Sequence, residues 1–79
     1  MIVVSHKQDG FTKFRVRLEK REFVLFWFFG EEMREHRCVV EAFDTEWQDY
    51  ETSRWFDSDI RARLWGYNWL LDLAGPEYL

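Results

Sequence analysis

Glu22-Phe23-Val24-Leu25-Phe26-Trp27-Phe28-Phe29, closed by Gly30, is the stretch on which the fold turns. Seven apolar residues follow Glu22 without a break, and five of them are aromatic. A strand with one wet face alternates apolar and polar side chains. This one offers apolar side chains to both sides of a sheet, so what covers its second face becomes the functional question.

Immediately upstream, Phe11 to Leu18 does alternate: Thr12, Phe14, Val16 and Leu18 share one face, and Lys13, Arg15 and Arg17 the other. A hairpin through the charged Glu19-Lys20-Arg21-Glu22, which contains no Gly, pairs Leu18 with Phe23, Val16 with Leu25, Phe14 with Trp27 and Thr12 with Phe29. That register puts Phe23, Leu25, Trp27 and Phe29 in the core. Val24, Phe26 and Phe28 then look outward among Arg17, Arg15 and Lys13. Before this hairpin, Met1 to Ser5 reads as a short edge strand, and Asp9-Gly10 as a strong turn dipeptide.

Downstream, Gly30 to Glu35 reads as a polar loop and His36 to Phe43 as a third strand. Cys38, Val40 and Ala42 take its core face; Arg37, Val39 and Glu41 take its outer face. A helix over Glu31 to Phe43 competes, because Glu, Met and Arg are good helix formers, whereas Val39-Val40 favours strand. Asp44-Thr45 followed by Gln48 resembles a capping box and predicts a short helix over Glu46 to Thr52, with Trp47 and Tyr50 on one face. Asp57-Ser58-Asp59 is a good helix start, with acids where the macrodipole favours them. Ile60, Leu64, Tyr67, Leu71 and Ala74 form one stripe of that helix, flanked by Trp65 and Trp69. Gly75-Pro76 stops it. The expected fold class is α+β: a three- to four-stranded antiparallel sheet with the C-terminal helix, and the short helix before it, packed on one face.

The chain of 79 residues reads as a single compact domain, 1–79. A domain this small buries only about 60% of its unfolded surface. Eight Phe, five Trp and three Tyr compensate. They also exceed what one sheet and one helix readily hide, which points to a second copy or another protein as cover. The single Cys38 excludes an intramolecular disulfide and leaves only a link between two copies. No signal-peptide core follows Met1, and no apolar run approaches the ~18 residues of a membrane span, so the expected location is the cytoplasm.

The net charge is −4, distributed unevenly. Basic residues dominate from Lys7 to Arg21, and acidic residues from Glu31 to Asp59. Such asymmetry predicts a positive side and a negative side. Around the positive side, Lys13, Arg15, Arg17 and Arg37 would surround Phe26 and Phe28. Rings with basic neighbours suit stacking of single-stranded nucleic acid, and the same face suits contact with a second copy. Arg and Lys stems that merely cover exposed rings explain it equally well. The acid balance disfavours a phosphate binder, and the Gly-aromatic motif of the common RNA-recognition sheet is missing. Around the negative side, Glu46, Trp47, Asp49, Glu51, Trp55, Asp57 and Asp59 combine carboxylates with rings. Charge would steer a basic partner there, and buried rings would anchor it. The alternative is inward-facing rings with a solvated acidic rim.

Catalytic signals are thin. His36 and Cys38, two apart on one strand face, could pair as thiol and imidazole. No acidic orienting group accompanies them, and a small core Cys beside a strand-end His explains the pattern as well. His6, His36 and Cys38 fit no zinc spacing, and no phosphate, dinucleotide or calcium loop is present. The expectation is a protein without catalytic residues, metal or cofactor.

With these features the chain resembles, as a type, the small phage-encoded inhibitors that include the anti-CRISPR proteins. It is under 80 residues, acidic and aromatic-rich, and it carries the acidic run Glu41 to Asp59. The resemblance implies an inhibitor that acts in the host cytoplasm. Its partner would be a host complex whose basic nucleic-acid site it occupies.

Overall fold

The computed structural model describes residues 2–25 and 30–75. Four antiparallel strands, β1 (Val3–Gln8), β2 (Phe11–Leu25), β3 (Glu31–Phe43) and β4 (Trp47–Thr52), form one sheet in sequence order. One helix among the described residues, α1 (Asp59–Ala74), packs on one face, giving an α+β arrangement.

Asp9 and Gly10 both hold positive φ, 53° and 85°, as the tight β1–β2 hairpin requires. β1 is an edge strand, with Val4 opposite Phe14.

The expected hairpin at Glu19–Glu22 does not form. β2 runs straight through it, and its partner is β3, with Val16 opposite Val40, Leu18 opposite Cys38 and Phe23 opposite Met33. The reason is electrostatic. Continuous pairing sets Glu19 opposite Arg37, Arg21 opposite Glu35 and Glu22 opposite Arg34, so the charged run is matched across the ladder. The expected loop over Gly30 to Glu35 is accordingly strand from Glu31 onward. The outward assignment of Val24 also reverses. Val24 shares parity with the helix-side residues Phe14, Val16 and Leu18, whereas Phe23 lies on the arginine side. Trp27 and Phe29, placed in the core by the hairpin reading, lie outside the described residues.

His36 to Phe43 is strand, with Cys38, Val40 and Ala42 fully buried on the helix side as expected. The short helix over Glu46 to Thr52 is replaced by β4. Trp47 lies opposite Phe43 and Asp49 opposite Glu41, with a bulge that turns Tyr50 into the core. Sheet pairing and ring burial outweigh the capping-box signal. Beyond β4 the chain stays on β3: Ser53 exchanges hydrogen bonds with Cys38, and Phe56 with His36. Past that bridge the sheet narrows to a two-stranded ribbon of β2 and β3, and the molecule extends to 51 × 29 × 19 Å.

The helix starts and stops where expected, with Ser58 at the N-cap and Gly75 at the C-cap. Its buried face is not the expected stripe. Ala62, Gly66, Leu70 and Leu73 face the sheet, while Ile60, Leu64, Tyr67 and Leu71 are exposed. Closeness decides this. A Cβ on Gly66 would overlap Cys38 Sγ and approach Val16 Cγ1 to 3.2 Å, so only small residues fit under the helix. Phe11, Phe14, Tyr50, Trp65 and Trp69 fill the wider part of the core.

Candidate functional site

The uncovered face of the sheet carries the chemistry. Alternation along β2 and β3 sends Lys13, Arg15, Arg17, Glu19 and Arg21, with Glu35, Arg37, Val39, Glu41 and Phe43, to the side away from α1. β4 adds Trp47 and Asp49 to the same face through its pairing with Phe43 and Glu41. Part of the expected negative side, Glu35, Glu41 and Asp49, therefore shares one surface with the basic residues, in interleaved signs.

Arg17 is its hub. Its guanidinium donates to Asp49 Oδ1 at 2.6 Å, to Glu41 Oε2 at 3.0 Å and to Glu19 Oε2 at 2.9 Å. Arg15 Nε donates to the other Glu41 oxygen at 2.9 Å, and Arg37 Nε to Glu19 Oε1 at 2.6 Å. Further along, Arg21 donates to Glu35 Oε1 at 2.7 Å through Nη2. The hydrogen bond from Arg17 holds the Asp49 carboxyl below the usual carboxylate range. Arg17 and then Arg37 do the same to Glu19. Reciprocally, the bonds to Asp49 and Glu19 raise Arg17 further above its already high value.

The rings belong to the same lattice. Arg15 lies 3.9 Å from the Trp47 ring centroid, and Trp47 packs on Phe43 at 5.2 Å. Trp55 takes both Arg21 and Arg37, at 4.2 and 4.4 Å. Planar guanidinium on indole is the favoured cation–π geometry. Beneath the lattice Val39, which the sequence places outside, is 1% exposed. Phe26 and Phe28, predicted as the centre of this face, lie outside the described residues.

The seven predicted partner-binding residues therefore separate. Trp47, Asp49 and Trp55 are held by Arg15, Arg17, Arg21 and Arg37. Glu46 and Glu51 stay exposed at and along the β4 edge, and among the described residues no cation lies within ion-pair distance of either. Asp57 and Asp59 sit at the far end, at the start of α1. Their only ion-pair contacts among the described residues are Arg61 and Arg63 one turn on, each at 3.8 Å. Glu19, Glu35 and Glu41 were not anticipated as members of the lattice. Their signal was present: Arg15-x-Arg17-x-Glu19-x-Arg21 and Glu35-x-Arg37-x-Val39-x-Glu41 complement each other once β2 and β3 are paired.

Cys38 is sealed between Gly66 and the sheet, and burial pushes its thiol up to about 11. A nucleophile needs the opposite shift. The same burial removes the thiol from reach of a second folded copy. Tyr50 donates to Asp9, which raises its hydroxyl above the ordinary value. Among the described residues, no cluster of three or more His, Cys, Asp or Glu side chains could hold a metal ion. No described helix is long and apolar enough to cross a membrane.

No protein-family model matches the chain, and no curated protein or solved structure matches it either.

Proposed function

We propose that this protein is a non-catalytic interaction protein whose acidic β4 edge docks on a basic, nucleic-acid-binding surface of a host protein complex. This is the mode of action implied by its resemblance to phage-encoded inhibitors of the anti-CRISPR type, and it places the protein in the host cytoplasm. One observation carries the reading. Arg15, Arg17, Arg21 and Arg37 are all engaged by carboxylates or indoles of the same face, whereas Glu46 and Glu51 have no cation within ion-pair distance among the described residues. A phosphate backbone would have to displace those carboxylates. A basic partner meets free acids along an edge strand, and long-range attraction steers it there.

The test is a retention and displacement assay. Immobilised protein is exposed to extract of the native host, and each retained complex is challenged with single-stranded oligonucleotide. The expected result is a retained nucleic-acid-binding complex that oligonucleotide releases, with a Glu46→Lys/Glu51→Lys variant retaining it about tenfold less, or ~1.4 kcal/mol. Equal retention by the variant removes the acidic edge as the docking site.

A further inference from the structure

The helix face that the described residues leave uncovered has a pattern of its own. Ile60, Leu64, Tyr67 and Leu71 are 64%, 54%, 38% and 46% exposed. At 3.6 residues per turn they lie within an arc of about 60°, opposite the buried Ala62, Gly66 and Leu73. The stripe runs almost the full length of α1. An apolar groove of about 280 Å³, bounded by Ile2, Val3, Tyr67 and Leu71, widens it on the β1 side. Contiguous apolar surface on this scale marks contact sites on soluble proteins.

The occupant is indicated by symmetry and charge. The spacing of the stripe reads the same in both directions about a point between Trp65 and Gly66. An antiparallel copy therefore sets Ile60 against Leu71 of the second copy and Leu64 against its Tyr67, each pair occurring twice, as an isologous contact requires. Arg61 and Asp72 flank the stripe on the same side, one near each end. In the antiparallel arrangement Arg61 comes within a turn of Asp72 of the second copy, and the reciprocal pair closes the other end. Among the described residues Asp72 has no ion pair, and Arg61 has only the 3.8 Å contact to exposed Asp57. The opposed helix dipoles also attract in this orientation. The groove beside Leu71 receives Ile60 of the second copy.

We infer that α1 is the interface of a two-fold homodimer formed by antiparallel contact of this stripe. Its few anchor residues place it in the small, reversible class of interfaces, under about 1,200 Å² in total. It uses the side of the molecule away from the arginine lattice, so its failure leaves the proposed function standing, and the reverse.

Sedimentation velocity on the full chain, from about 1 μM to about 1 mM, reads the association. A reversible monomer–dimer equilibrium is expected. Leu64→Glu, at an exposed position, should weaken association at least about tenfold while leaving the thermal melt of the dilute monomer unchanged. Arg61→Asp should weaken it less, and Arg61→Asp with Asp72→Arg should restore it. A monomer at every concentration, or a dimer indifferent to Leu64→Glu, overturns the interface. A double charge exchange no better than the single one overturns the antiparallel arrangement.

Discussion

The two faces of β2 are built from alternate residues of one strand, yet they are held by different physics. On the helix side Phe14 and Val16 meet α1 through shape: Gly66 sits so close to Cys38 and Val16 that a methyl group does not fit. On the other side Arg15, Arg17, Glu19 and Arg21 meet Glu41, Asp49, Arg37 and Glu35 through charge and hydrogen bonding. Where α1 covers it the first face is dry, so its stability comes from burial and is not weakened by charge screening. The second is partly solvated, so each pair contributes little and salt screens it. The arginines are engaged by neighbours on their own face, and Glu46 and Glu51, exposed and without an ion pair among the described residues, lie on the β4 side.

Gly66→Ala breaks the comparison most severely. In an open helix interior the substitution would stabilise by up to ~1 kcal/mol. Under α1 it forces an overlap with the Cys38 sulfur, and the expected outcome is a net loss of about 1–3 kcal/mol in a denaturant melt. A gain would mean that the helix stands further from the sheet than described here.

Arg17→Ala is the corresponding change on the polar face. It strips Asp49 and Glu41 of a donor, yet the expected loss is only about 1 kcal/mol or less at low ionic strength, shrinking as salt is added. The salt dependence of melting separates the two faces: the Gly66 variant should show the same deficit at every salt concentration, the Arg17 variant a fading one.

The smallest effect is on pH. The Glu19 and Asp49 carboxyls are held below their ordinary values by Arg17 and Arg37. Each therefore contributes stability above its unfolded-state value, near pH 4, which is lost as the pH falls through the lower folded-state value. Stability should be flat from neutral pH to about pH 5 and decline below about pH 4. Arg17→Ala should make that acid limb shallower, and an unchanged limb would show that these pairs do not contribute.

Much of this arrangement is legible from residue chemistry. Asp9-Gly10, Ser58 and Gly75 announce their turn and caps, and the period-two run from Thr12 to Leu18 announces a strand with an apolar and a basic face. The hairpin reading fails because it matches an apolar run to the nearest strand, whereas β2 pairs with β3. Glu19-Lys20-Arg21-Glu22 has no residue suited to a tight turn, and its sign order complements Arg34-Glu35-His36-Arg37. Gly30, with positive φ beside β3, was the better turn signal. In α1 the large residues Ile60, Leu64 and Leu71 read as the packed stripe, whereas Ala62 and Gly66, small and four apart, mark where a helix can approach a sheet. The β4 strand was not legible locally. Its rings are placed by pairing and by a bulge, Trp47 opposite Phe43 and Tyr50 turned onto Phe14, and both depend on strands distant in sequence. For the same reason the interleaving of Glu35, Glu41 and Asp49 with the arginines is legible only once β2, β3 and β4 are paired.

In the proposed function the sheet-face arginines, engaged by their own carboxylates, are withheld from phosphate, and the unpaired acids face the partner. A fluorescence titration of the intact protein against single-stranded oligonucleotide at about 20 mM salt tests it most directly, because low salt favours phosphate contacts most. No binding is expected across the titration. Binding that weakens linearly in log–log form as salt rises would show that Arg15, Arg17 and Arg37 exchange Glu41, Asp49 and Glu19 for phosphate, and would contradict it.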